Sequence, residues 1–218
     1  MDRLRTRLSC VTVFAALGLV GAVTPGCNDD AQSPSGIAPD QLVPDAAPLS
    51  RMTAEQYENT VRDLFAPVQI GPLTFPVELE GRGGFENNVT LNTATPALVE
   101  AYQRTAVQVA DIVTQNLSTA LGCDPSADAC ARNWVLDLSE RAWRRPLTQD
   151  EQDALLSSFD GWVNQHGVNT ALNLAITQLL QSPEFIYFPR FGSDAPAPGE
   201  NAKALTDWEL ASRLSYFL

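Results

Sequence analysis

The sequence predicts a mainly α protein: a helical bundle over about residues 50–188, a long irregular loop within it, and the first helix of a following domain. Two observations carry this. Apolar residues recur at helical spacing in successive stretches of the chain. Three reciprocal capping boxes, Thr53 with Gln56, Thr148 with Glu151 and Thr206 with Glu209, mark helix starts. Strand content should be close to nil, apart from possible short pairing in 68–92.

The chain opens on an export signal over 1–26. Arg3, Arg5 and Arg7 form a positive start, and Val11 to Val23 an apolar run too short to be favoured as a membrane span. Val20 and Ala22 suit ordinary signal peptidase, whereas Gly26-Cys27 resembles the end of a bacterial lipobox, with Thr24 and Pro25 departing from it. Cysteine parity favours the lipobox. Cys10 leaves with the signal, and lipidation of Cys27 leaves Cys123 and Cys130 as a pair rather than three thiols in an oxidising compartment. Residues 27–48, with four prolines and four aspartates but few apolar side chains, read as a disordered tether. Its reach is on the order of 25 Å.

The first helix is expected over 54–65, with Tyr57, Val61, Leu64 and Phe65 inward and Glu58 paired to Arg62 outside. Residues 66–95 form the long loop. Glu78, Glu80, Glu86, Asn87 and Asn88 bring oxygen ligands close together there, and Gly81, Gly83 and Gly84 permit a tight path. A calcium- or sugar-binding loop is one reading, although the spacing does not match an EF-hand. The favoured reading is a solvated loop pinned to the helices by Phe75 and Phe85.

Thr95-Pro96 starts the second helix, expected to run unbroken for roughly 24 residues to Leu121-Gly122. Cys123 and Cys130 then bracket a short loop. In an exported chain they form a structural disulfide worth about 2.5 kcal/mol by loop-closure entropy. The third helix carries Trp134, Val135, Leu138 and Ala142 on one face and is expected to end at Pro146. The fourth restarts at Thr148 with Leu155, Phe159, Trp162 and Val163 as its apolar stripe. Arg141, Arg144 and Arg145 crowd the joint. They form a candidate clamp for a carboxylate or phosphate, with Glu140, Asp150 and Glu151 as internal partners that favour a structural role. A fifth helix spans about 169–181, and a Pro/Gly/Ala linker leads to the last, whose Leu210, Leu214, Phe217 and Leu218 make an apolar face. That face implies a partner, and residues 205–218 read as the start of a truncated third domain that packs poorly on 50–188.

Composition narrows the function. The chain carries 26 acidic against 14 basic residues, a net charge of −12, and its one lysine is Lys203. Phosphate-backbone binding needs clustered cations, so no nucleic-acid partner is expected. His166 is the sole histidine and sits at a helix end, where partial positive charge is favourable. With one histidine and no suitable spacing, neither a metal site, a catalytic constellation nor a cofactor site is predicted in this fragment.

Three segments carry a family resemblance: LSRMTAEQYENTVRDLF with the downstream GRGGFENN, CARNWVLDLSERAWRRPLTQDEQDALLSSF, and LLQSPEFIYFPRFG through LTDWELASRLSYFL. Together they resemble planctomycete- and myxobacterial-type envelope proteins built of tandem domains of unknown function, often associated with c-type cytochrome modules. The resemblance implies a first helical domain over 49–122, a second over 123–188, a linker over 189–204 and a third beginning at 205. It carries no reaction. The haem motif C-x-x-C-H does not occur here. The expected function is therefore an exported, lipid-anchored helical module of the periplasm, outer membrane or cell surface. It would scaffold or dock partners, a c-type cytochrome or other envelope protein among them, including in electron transfer. The alternative is the N-terminal part of an enzyme acting on envelope or extracellular polymers through the carboxylates of the 78–88 loop.

Overall fold

The computed structural model describes residues 49–78, 93–126, 129–188, 192 and 203–217. The expected signal, Cys27, the tether, and Glu80, Glu86, Asn87 and Asn88 lie outside the described residues. Helices dominate, as expected. In chain order the elements are β1 (Ser50–Arg51), α1 (Ala54–Leu64), α2 (Pro96–Gln115), α3 (Leu117–Leu121), α4 (Cys130–Trp143), α5 (Gln149–His166), α6 (Val168–Leu180), α7 (Pro183–Ile186), β2 (Tyr187–Phe188) and α8 (Asp207–Phe217).

The helix starts follow local chemistry. The Thr53–Gln56 and Thr148–Glu151 boxes both form, each pairing a threonine hydroxyl with the backbone N–H three residues on and returning a side-chain bond. Thr95 caps α2 with Pro96 in the first turn. Two expected helix ends are corrected. The long second helix breaks at Asn116, whose backbone leaves helical geometry while its side-chain amide donates to Ile112 O at 2.8 Å. Asparagine competes with the helix by such local bonds. The chain resumes as α3 and stops at Gly122 in the left-handed region, φ 68°. α4 ends at Trp143 rather than at Pro146, because Arg144 adopts φ 59° and closes the helix two residues before the proline.

The core is shared by elements from both halves. α2 packs along α6, α6 against α5 and α4, and α1 reaches α4. Tyr57 and Val61 of α1, Val109 and Val113 of α2, Leu138 of α4 and Leu172, Ile176 and Leu180 of α6 are fully or almost fully buried. Each such aliphatic side chain contributes roughly 1.5–3 kcal/mol of burial. Phe75 pins the loop as expected, edge-on to Tyr57 at 5.3 Å and to Tyr102 at 5.6 Å. α5 is the exception: only Phe159 of its expected stripe is buried, and Leu155, Trp162 and Val163 are half-covered.

Strand pairing occurs where it was not expected. Ser50 and Arg51 pair antiparallel with Phe188 and Tyr187, and Met52 N–H extends the contact to Ile186 O at 2.9 Å. No pairing is found in 68–78 or at 93 and beyond within that loop among the described residues. A two-residue ribbon is too short to show alternation, so nothing in the sequence marked it. It ties the segment before α1 to the segment after α7.

Candidate functional site

Two arginines flank this ribbon and organise the polar interior. Arg51, in β1, is buried, and its guanidinium donates to Met52 O at 2.6 Å, to the Tyr102 hydroxyl at 2.9 Å and to Glu78 Oε1 at 2.6 Å. The other oxygen of Glu78 accepts from Ala54 N–H at 2.7 Å, capping the first turn of α1. Glu78, expected as a ligand-loop oxygen, is thus committed to a buried ion pair and a helix cap. Burial raises the Tyr102 phenol against the opposing pull of Arg51, and burial likewise raises Tyr57 far above its ordinary range. The Tyr57 hydroxyl is held by Leu180 O at 3.1 Å.

Arg144 is the second. Its left-handed backbone turns the guanidinium under α7, where one terminal nitrogen donates to the backbone oxygens of Glu184, Phe185 and Tyr187 at 2.9, 3.1 and 2.9 Å. Its charged carbon lies 5.3 Å from the centre of the Phe188 ring and 5.7 Å from that of Tyr216. Desolvation pulls this guanidinium below its usual range, with Tyr216 opposing the shift. Its neighbours are also committed. Arg141 donates to Asp137 at 3.0 Å and to Leu64 O at 3.1 Å. Arg145 grips both oxygens of Glu151 at 2.7 and 2.8 Å and covers Trp143. The three arginines are brought together at the joint, where all three line one cleft of about 440 Å³, and each also holds a different internal partner.

Cys123 and Cys130 stand bonded, with Cα atoms 6.2 Å apart, closing the loop that delivers the chain into α4. His166 is exposed in the last turn of α5. Among the described residues, no three His, Cys, Asp or Glu side chains gather as metal ligands, and no helix is long and apolar enough to cross a membrane.

α8 stands over the Arg144 joint in an inverted sense. Its capping box forms: Thr206 N–H donates to Glu209 Oε2 at 2.8 Å and Glu209 N–H to the Thr206 hydroxyl at 3.3 Å. The residues turned inward are Glu209, Ser212 and Tyr216. Glu209 accepts from Gly192 N–H at 3.1 Å. Gly192 is at φ 68°, and a Cβ there would come within 2.6 Å of Lys203 Cβ, so glycine is required at this contact. Tyr216 packs edge-on to Phe188 at 4.7 Å and meets the Thr60 hydroxyl at 2.7 Å. Because Thr60 already donates to Gln56 O, Tyr216 is the donor. Clefts of about 450 and 550 Å³ lie beside the helix. Leu210 and Leu214 point away and are half exposed, as is Trp208 at the helix start. The expected poor packing is therefore correct for the leucines but not for Tyr216, which docks.

The described helices and the ribbon share one core. Comparison with protein families identifies two domains: residues 50–115 match the family described as PSD3, protein of unknown function (DUF1587), and residues 130–189 match PSD5, protein of unknown function (DUF1595). The chain thus carries two tandem domains of unknown function, and β1 and β2 of the ribbon come one from each. No curated protein and no solved structure matches the chain. Sequence reasoning missed Arg51, because a single arginine beside a capping box has no spacing signal. It found the arginine cluster, but a left-handed Arg144 leaves no mark in composition.

Proposed function

We propose that this chain is an exported, lipid-anchored helical module that docks partner proteins at the cell envelope, electron-transfer proteins carrying c-type haem among them. The carrying observation is α8, which rests on the body through Glu209, Ser212 and Tyr216 while turning Leu210 and Leu214 outward at 50 and 52% exposure. A helix that lays its polar side on its own core offers its apolar side to something else. The Gly26-Cys27 motif supports anchoring through Cys27, and the family resemblance supports the envelope setting. The polymer-cleaving alternative loses Glu78, which Arg51 and Ala54 N–H already occupy.

A photo-crosslinking residue placed at 210 or 214 in producing cells tests the docking. Discrete protein adducts are expected from both positions and none from position 153, on the exposed face of α5. Adducts to lipid alone, or equal yields at all three sites, would remove the reading. Radiolabelled palmitate should mark the protein and be lost in Cys27→Ala.

A further inference from the structure

α5 leaves apolar surface uncovered, and that surface forms a groove. The space is about 580 Å³, walled by α4, α5 and α6, and Ser182, Pro183 and Glu184 at the start of α7 also line it. Leu138, Trp143, Leu155, Trp162 and Leu179 line it. Such a volume falls in the range of small-molecule sites, which combine an apolar wall with a few polar groups. Trp143 is fixed in place, its indole N–H donating to the Ser182 hydroxyl at 3.0 Å. Trp162 has no ring partner among the described residues and is only half-covered.

The charge on the wall is one-sided. Two carboxylates, Glu151 and Glu184, line the groove, and no basic side chain does. Glu151 is neutralised by Arg145, which takes both of its oxygens. Glu184 is different. Its backbone oxygen serves Arg144, but its carboxylate has no hydrogen bond or ion pair among the described residues, and Arg145 reaches it only through space. An apolar trough with an indole on its wall and a carboxylate that makes no direct ion pair among the described residues suits one chemical class. The Trp162 indole and the carboxylate both attract a cation, and the wall attracts hydrocarbon.

The geometry points to a binding site for an amphiphilic organic cation: an apolar body lying along Leu155 and Trp162, with its amine or quaternary ammonium head at Glu184. This site is independent of the docking face on α8. An anionic ligand of the same shape would set like charge against Glu184 and is disfavoured.

Three probes of equal chain length test it on the full protein: octyltrimethylammonium, 1-octanol and octanoate, titrated by calorimetry and by tryptophan fluorescence. Saturable one-to-one binding is expected, with the ammonium favoured over the alcohol by about fivefold, the scale of the net worth of a solvent-exposed ion pair. Glu184→Gln should abolish that preference while leaving octanol binding in place. Ala154→Phe, at an exposed position of α5 on the groove wall, should remove binding of both with the circular dichroism spectrum unchanged. Equal affinity for cation and alcohol, tighter octanoate, a preference that survives Glu184→Gln, binding that survives Ala154→Phe, or no saturation with any probe would each overturn the site.

Discussion

Arg51 and Arg144 sit on either side of the same ribbon and meet burial in opposite ways. Arg51 has a carboxylate, Glu78, at 2.6 Å, and the pair is almost completely buried, with side-chain exposures of 2 and 9%. Among the described residues, no carboxylate partners the Arg144 guanidinium; three backbone oxygens and two aromatic rings lie against it. Backbone oxygens carry only partial charge, but they cannot protonate, and each needs a donor in any case. The first arrangement joins a loop to a helix start within one domain. The second joins α4, α7 and β2 and, through Tyr216, α8. Arg51 sets a full opposite charge beside its own. A carbonyl-bound arginine spreads its contacts over a turn of chain.

The largest expected effect comes from Arg51→Met, which leaves Glu78 charged and buried. Removing one partner of a buried pair costs about 3–5 kcal/mol. Urea denaturation should show that loss. The double variant Arg51→Met/Glu78→Gln should recover part of it, because both charges are then gone and the glutamine oxygen can still accept from Ala54 N–H. A double variant as unstable as the sum of the singles would mean the two side chains do not act as a pair.

Arg144 should be the milder loss. Arg144→Gly keeps the left-handed backbone without strain and removes only the side chain, at a cost of about 2 kcal/mol from hydrogen bonds to a charged donor. Arg144→Ala should cost about 1 kcal/mol more, since a Cβ at positive φ is disfavoured. The same variants should free α8, read as a red-shifted Trp208 emission in a protein whose other three tryptophans are replaced by phenylalanine. If Arg144→Gly is more destabilising than Arg51→Met, the ranking of the two regions is reversed and the carbonyl-bound arginine is the stronger anchor.

Much of this frame is legible in the sequence, for reasons that are local. Capping boxes at Thr53, Thr148 and Thr206 act over three residues, and apolar periodicity in α1, α2 and α6 acts over two turns, so both can be read without tertiary knowledge. The disulfide follows from parity and separation. What escaped depends on distance along the chain. Arg51 meets Tyr102 and Glu78 across 51 and 27 residues, and the ribbon closes over more than a hundred. The α5 groove escaped because periodicity identifies an apolar stripe but not how closely its partners approach it: Leu155 and Trp162 have the spacing of core residues and line a cleft instead. Pro146 misled for a related reason. It forbids helix at the residue before it, yet Arg144 had already ended α4 one residue earlier still.

A third pair sharpens the comparison at its weak end. Arg145 and Glu151 lie beside Arg144 but at the surface, with side-chain exposures of 27 and 29%. The Arg145 hydrogen bonds, supported by Thr148 N–H, hold the Glu151 carboxyl down at about 2, against an ordinary 4.5. A depressed carboxyl contributes stability that is complete above its unfolded value and disappears as pH falls toward its folded value. The contribution should therefore be full above about pH 5 and fade between about pH 4.5 and 2. Solvent screening limits it to about 1 kcal/mol despite the size of the shift. Glu151→Gln preserves the capping geometry, because the glutamine oxygen can still accept from Thr148 N–H, and removes the charge together with one of the two acceptors of Arg145. The difference in urea midpoint between the parent and Glu151→Gln isolates this pair from every other carboxyl in an acidic chain. It should be clear at pH 6 and vanish near pH 2. A difference that stays constant across that interval would assign the stabilisation to the cap and not to the ion pair.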